Sequence, residues 1–326
     1  MADLPINASI SSVPFVISII IVNWNTKELL ANCLDSIFRA TNTAAGEHIV
    51  ETIVVDNASS DGSQQMLQER FPQVELIQNS QNIGFARANN QGLAQASGAY
   101  LLLLNSDTLL PPDALEKAIH LMAQLPEAGV AGVTLLNPDG SFQASYADFP
   151  TLKSELLTAT GLGTRTISPF YPSPRPQANE TTREVDWVAG AFMLVRRAAY
   201  TQVGGLDERY HMYSEETDWC FRFRKQGWKI VYLPEVHITH IGGASTRQRR
   251  AEMVAQLNRS KIQFFAANYG ATRAAQLRVL LGAIFFIRHI ASRSLSLVLP
   301  KPAAAKWRAK SDVERLVRDA CLQVNF

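Results

Sequence analysis

Through residues 16–110, short apolar runs alternate with stretches in which apolar positions recur every three or four residues. Val16–Asn23 (VISIIIVN), Ile49–Asp56 (IVETIVVD), Val74–Gln78 and Tyr100–Asn105 (YLLLLN) have the composition of strands. Lys27–Ala40 places Leu30, Leu34, Ile37 and Phe38 on one side of a helix. Ser60–Ser63 turns into a helix ending at Arg70, Ala86–Ala96 is helical, and another helix is expected to begin near Pro111 and Pro112. Nearly continuous apolar strands separated by helices predict an α/β fold, with a mainly parallel sheet covered on both faces.

Further along, residues 129–147 suggest two strands around the turn Asn137-Pro138-Asp139-Gly140. Residues 150–184, rich in Pro, Thr, Ser and Gly, are expected to form a long mobile connection. Asp186–Arg196 is a strand with a glycine inside it, Glu215–Gln226 a helix and Lys229–Leu233 a strand; from Gln248 the chain is helical. Ligands on parallel sheets gather beyond the carboxyl ends of the strands. Asn23–Asn25, Asp56-Asn57 and Asn105–Asp107 all occupy such ends, which predicts one polar crevice.

Composition narrows the class. Of 326 residues 47% are hydrophobic and 18% charged, enough for a packed core and against wholesale disorder. A net charge of +2 argues against a nucleic-acid partner for the whole chain. It conceals an asymmetry: residues 1–246 carry 16 Lys+Arg against 25 Asp+Glu (net −9), and residues 247–326 carry 15 against 4 (net +11). The expected division is therefore a catalytic domain over 1–246 and a basic helical tail over 247–326. Cys33, Cys220 and Cys321 form neither a disulfide framework nor a metal-binding pair, consistent with a reducing, cytoplasmic setting. Residues 1–15 lack the basic start of a secretory signal, and no run reaches the ~18 apolar residues of a spanning helix. The nearest, Val279–Ile287, stops at Arg288-His289.

The first strand is followed by NWNT rather than a glycine-rich phosphate loop, which argues against dinucleotide-binding, P-loop and nucleotidyltransferase enzymes. No GxSxG elbow is present. In order, the chain contains IVNWN, VVDNASSDGS, NIGFARANNQG, LLLLNSDT, EETDWCFR and HITHIGGAS. Over residues 16–245 this set resembles the inverting GT-A glycosyltransferases of family 2, within them the bacterial rhamnosyltransferase-like group.

The resemblance implies a Rossmann-like GT-A fold and a nucleoside-diphosphate-sugar donor, with rhamnose from dTDP-rhamnose as the first choice and UDP-hexoses as alternatives. Asp56 would accept the N–H of a uracil or thymine ring, or else cap the Ser60–Arg70 helix. Val22 and Asn23 would flank the base. Gly84 and Phe85 would bring backbone to the nucleotide, with Arg87 or Asn90 near ribose and diphosphate; Phe85 could equally be packing and Arg87 a surface charge. Asn105-Ser106-Asp107 stands where the family has a DxD motif, leaving Asp107 as the carboxylate for Mg²⁺ or Mn²⁺, with His240 completing the site and His237 as a competitor. Glu216 aligns with the family's base, beside Glu215; Asp218 would orient the base or bind acceptor. Inversion needs such a base to take the proton of the attacking hydroxyl. Gly190 and Ala191 would admit the sugar, and Trp187 could stack on the acceptor. Asn for the first Asp and Glu-Glu for Glu-Asp leave a second reading, a non-catalytic nucleotide-sugar binder.

On a helical wheel, residues 276–299 place Arg278, His289, Ser292, Arg293 and Ser296 on one side, with Phe285 among them. Leu277, Leu280, Ile284, Ile287, Ala291, Leu295 and Val298 cover the other. This predicts a helix lying peripherally on an anionic membrane surface at its cytoplasmic face, with a glycan or lipid-linked acceptor. The competing expectation is packing on the catalytic domain or on a second copy in a homo-oligomer.

Overall fold

The computed structural model describes residues 17–41, 50–174, 177, 180–242 and 250–325. Residues 1–15, the division at 246/247 and the end of HITHIGGAS lie outside them. Strands β1 (Ile17–Asn23), β2 (Val50–Asp56), β3 (Glu75–Gln78) and β4 (Tyr100–Asn105) alternate with helices α1 (Lys27–Thr41), α2 (Ser63–Arg70) and α3 (Phe85–Gln95). Then come β5 (Thr108–Leu109), α4 (Ala114–Ala123), β6 (Ala128–Leu136), β7 (Phe142–Gln143) and β8 (Tyr146–Ala147). Helices α5 (Leu152–Thr160) and α6 (Leu162–Thr166) precede β9 (Arg183–Val185), β10 (Trp187–Val188), β11 (Phe192–Arg196) and α7 (Arg197–Val203). Helix α8 (Glu215–Lys225) and strand β12 (Lys229–His240) lead to α9 (Arg250–Tyr269), α10 (Ala271–Val298) and α11 (Lys301–Leu322).

The main sheet has ten strands, with the path β3-β2-β1-β4-β11-β6-β12-β5. The pairs β3-β2, β2-β1, β1-β4 and β6-β12 are parallel; β11 runs antiparallel to both neighbours. Apolar alternation explains why both faces are covered. Ile17, Ile19 and Ile21 of β1 pack with Leu30, Leu34 and Ile37 of α1, while Ile20 packs with Ala86, Ala88 and Leu93 of α3. Because β2 and β4 flank β1 while their crossovers run in opposite directions, the chain leaves a crevice beyond the carboxyl ends of β1 and β4.

Three expectations change. Residues 150–184 are not simply a connection: they contain α5, whose Thr151 and Ser154 form a reciprocal N-terminal cap, and α6. The expected strand Asp186–Arg196 breaks into two, β10 pairing with β8 in a separate two-stranded sheet and β11 entering the main one. The break at 189–191 lets the Ala191 carbonyl accept from the Asn105 amide. The expected Lys229–Leu233 strand continues to His240, through a register shift between Leu233 and His237 beside Pro234.

The basic tail is docked on the body. Phe149 and Phe221 stack edge-on, and Phe221 meets Phe264 of α9. Lys261 donates to Glu155 at 2.7 Å, and Ser260 to the Met212 carbonyl at 2.8 Å. All three cysteines are buried and unpaired.

Gly132 of β6 faces Val188 so closely that an added Cβ would lie 2.5 Å from the valine Cβ. Gly132→Ala is therefore expected to lower stability by about 1–3 kcal/mol, as overpacking does; thermal and urea melts of the full chain measure it.

Candidate active site

The crevice is a cavity of about 710 Å³, a size suited to a nucleotide sugar. Its walls come from the ends of β1 and β4, the break before β11, the end of β12, the start of α8, and Met253 of α9.

One wall holds Asn105, Ser106, Asp107 and His240. Their meeting follows from sheet register: Thr108 and Leu109 pair antiparallel with His240 and Thr239, and the Ile241 amide donates to the Asp107 carbonyl. His240 Nε2 lies 3.2 Å from Asp107 Oδ1 and 3.3 Å from Asn105 Nδ2. The other ring nitrogen, Nδ1, faces Gln143 Oε1 at 2.5 Å. The Gln143 amide is itself oriented, since its Nε2 donates to Asn137 Oδ1 and to the His240 carbonyl. With Nδ1 donating to Gln143 Oε1, Nε2 is left to accept from Asn105 Nδ2 beside the Asp107 carboxylate. Among the described residues no three His, Cys, Asp or Glu side chains cluster as a metal site. Asp107 and His240 fit a cation that takes its remaining ligands from a diphosphate and water. His237 is exposed and does not line the cavity.

Glu215 and Glu216 enter the same cavity at the first turn of α8. The preceding Tyr213 and Ser214 both have left-handed backbone, φ 70° and 67°, unusual for side-chain-bearing residues. The only other such non-glycine residues among those described are Asn25 and Ala58, each flanked by a cavity-lining residue. Backbone strain is thus concentrated around the crevice. Oε2 of each glutamate is shut from solvent without a hydrogen-bond partner. Burial pushes the Glu216 carboxyl up to about 7; burial and then the neighbouring Glu216 charge push Glu215 well above the ordinary range.

Gly84 and Phe85 are tied to the segment that precedes α8. The Phe85 amide donates to the His211 carbonyl at 2.9 Å. Gly84 has φ 89°, and a Cβ there would lie 2.7 Å from that carbonyl oxygen and 2.6 Å from the imidazole Nδ1. Val22, Gly190 and Ala191 also line the cavity.

Six expected site residues do not line it. Asp56 is wholly buried; it accepts from Asn23 Nδ2, the Ser59 amide and Gln64 Nε2, bracing the strand-end turn. It does not cap α2, whose N-cap is Gly62 without a side-chain bond. Asn23 also accepts from Thr26, which bonds Ser106, so these residues tie β1 to β4. Arg87 is half-exposed and pairs with Glu208; Asn90 bonds both backbone groups of Leu206. Trp187 donates to the Asp148 carbonyl. Asp218 is buried among Arg222, Asn268 and Tyr210, and so holds α8 to α9. Conversely, Gln143, His211 and Met253 line the cavity, and no local motif marks them.

The family model "Glycosyl transferase family 2" matches residues 18–204. An N-acetylglucosaminyl-diphospho-decaprenol L-rhamnosyltransferase of Mycobacterium tuberculosis is 31% identical over 276 residues, 79% of this chain and 88% of that protein. A rhamnosyltransferase of Escherichia coli is 28% identical over 69% of this chain and 83% of its own length. A mannosyltransferase of Pyrobaculum calidifontis, solved with GDP-Man and Mn²⁺, superposes with a TM-score of 0.55 at 16% identity, covering 94% of this chain and 86% of that one.

The two raised glutamates give a pH test. In the folded chain Glu216 keeps its proton from its ordinary 4.5 up to about 7, so across that window the folded state binds more protons and stability falls as pH rises. Glu216→Gln removes this titration: its melting temperature exceeds that of the wild type above pH 7, and the gap closes towards pH 5. Melts over that range by scanning fluorimetry decide it, and parallel curves contradict it.

Proposed function

The chain belongs to glycosyl transferase family 2 and is a glycosyltransferase, and from that premise we propose that it transfers L-rhamnose from dTDP-rhamnose, with inversion and divalent-cation dependence, to a hydroxyl of a lipid-linked glycan. The rhamnosyl assignment is supported by the names of the two relatives above, and the lipid-linked acceptor by that of the mycobacterial one. The observation that carries the mechanism is the single cavity lined both by Asp107 with His240 and by two buried, unpartnered glutamate oxygens.

In this reading the nucleotide lies between Val22 and the Gly84-Phe85 backbone, with Ser106 and Asn105 near the ribose and diphosphate. Asp107 and His240 would hold Mg²⁺ or Mn²⁺, which when bound supplies positive charge to the departing diphosphate. Asp56 and Asn23 act by bracing the strand ends. Base recognition by Asp56 would need the turn around it to open, since its carboxylate is wholly buried. Gly190 and Ala191 leave room for the sugar.

Glu216 takes the acceptor proton as the hydroxyl attacks the anomeric carbon. A carboxyl near 7 suits a base working at neutral pH. Glu215 raises the proton affinity of the pair, since two adjacent buried carboxylates resist ionising together. Asp218 keeps α8 in place through Arg222 and Asn268. In the same reading the reaction takes place at the cytoplasmic face of a membrane, and three unpaired cysteines support a reducing setting.

Glu216→Gln is expected to lower kcat by roughly 10²–10⁴-fold while dTDP binding stays unchanged. Steady-state transfer and calorimetric titration separate the two; unchanged turnover would remove Glu216 as the base, and dTDP binding without any turnover in the wild type would favour the non-catalytic nucleotide-sugar binder. Asp107→Ala is expected to weaken Mn²⁺-dependent dTDP binding by at least about tenfold and to abolish turnover. Calorimetry with dTDP, UDP and GDP, with cation or chelator, tests both the metal pair and the choice of nucleotide.

A further inference from the structure

Among the described residues one helix, α10, is long and apolar enough to cross a bilayer by length and composition. Its packing argues against spanning. α10 lies along α9 and α11, with contacts to α5, and Arg273, Arg278, Arg288 and Arg293 are spread over its length. The side expected to be polar is in part the inner one. Ser292 and Ser296 are each 2% exposed and Phe285 is buried, because small residues let α10 approach its neighbours; Ser296 satisfies its hydroxyl on the Arg293 carbonyl. Leu277, expected outside, is buried as well.

What remains outside is a stripe. Val279, Phe286, Ile287, Ile290, Leu297 and Val298 are exposed, Ile287 by 66%, Leu297 by 70% and Val298 by 77%. Their spacing of seven, one, three, seven and one residues keeps them on one face of a helix about 42 Å long. Cations rim that face. Arg293 is exposed between Ile290 and Leu297, and the Arg318 guanidinium sits 5.9 Å from the Phe286 ring centre. On α11 the Lys310 ammonium lies 4.3 Å from the Trp307 ring, an aromatic–cation pair suited to the headgroup level. Residues 271–322 hold ten Lys+Arg against Asp312, Glu314 and Asp319, and each of these three acids is already engaged by an arginine.

We propose that the outer face of α10 docks on an anionic phospholipid bilayer, lying in its interface with the stripe among the acyl-chain ends and the flanking arginines and lysines at the headgroups. A second copy of the chain is a poorer occupant, since pairing two such faces would bring like-charged rims together. The proposal rests on the reading of a membrane-borne acceptor, and gives that acceptor's membrane a surface of contact.

The test is flotation of the full chain with vesicles of phosphatidylcholine, with or without phosphatidylglycerol, in the absence of donor and acceptor. Phosphatidylglycerol is expected to strengthen partitioning at least about tenfold, with loss of the gain at high salt. The double variant Ile287→Glu/Leu297→Glu is expected to lose at least about tenfold. Ile167→Glu, also at an exposed apolar residue but outside α10, keeps wild-type partitioning. Melting and dTDP titration of the same variants stay unchanged, so lost flotation is not lost folding. Equal binding to neutral and anionic vesicles, or wild-type flotation of the double variant, overturns the proposal. So does a solution dimer, seen by light scattering, that the double variant dissolves. If the chain floats but binds no nucleotide, the catalytic reading fails and the docking surface stands.

Discussion

The site depends on one strand running the wrong way. Strand β11 lies antiparallel between β4 and β6, welding the β3-β2-β1-β4 half of the sheet to the β6-β12 half. Without that weld, Asp107 beyond β4 and His240 at the end of β12 would belong to separate layers. With it, the two-residue strand β5 reaches across to β12 and sets the carboxylate 3.2 Å from the imidazole. The break just before β11 then supplies the small residues Gly190 and Ala191 to the cavity wall.

Around this frame the chain uses polar groups in two ways. Groups at the strand ends that are fully satisfied do structural work. Asp56, Asn23, Thr26 and Ser59 exchange hydrogen bonds that hold the turn after β2 against β1. At the cavity, by contrast, Glu215 and Glu216 each keep a carboxyl oxygen without a partner. Burying a carboxyl oxygen without a partner costs stability unless the group stays protonated, and such groups persist where chemistry needs a proton acceptor near neutral pH. The left-handed Tyr213 and Ser214 that deliver them are a second local cost at the same place.

The tail packs on this arrangement. Met253 of α9 lines the cavity, and Asn268 of the same helix accounts for part of the bonding at Asp218. Substrate space and the helical layer beneath α10 are therefore mechanically continuous through α9. The outer face of α10 thus sits in one body with the cavity.

Much of this was readable in one dimension. Strands β1, β2 and β4 are apolar on both faces, and polar residues follow them immediately, so the parallel half-sheet and a crevice at its carboxyl edge follow from local pattern alone. The motif around Asn105–Asp107 and the acids at Glu215-Glu216 stood out because consecutive residues carried the signal. Other features are set by contacts between distant residues. Gln143, His211 and Met253 reach the cavity from segments with no motif, and the roles of Asp56, Asn90 and Asp218 turn on partners such as Gln64, Leu206 and Asn268 that only folding brings near. The α10 wheel shows the same limit. Sequence determines that a helix has two unlike faces, but which one turns inward is decided by how closely its neighbours can approach, and here Leu277, Leu281 and Phe285 turn inward together with Ser292 and Ser296.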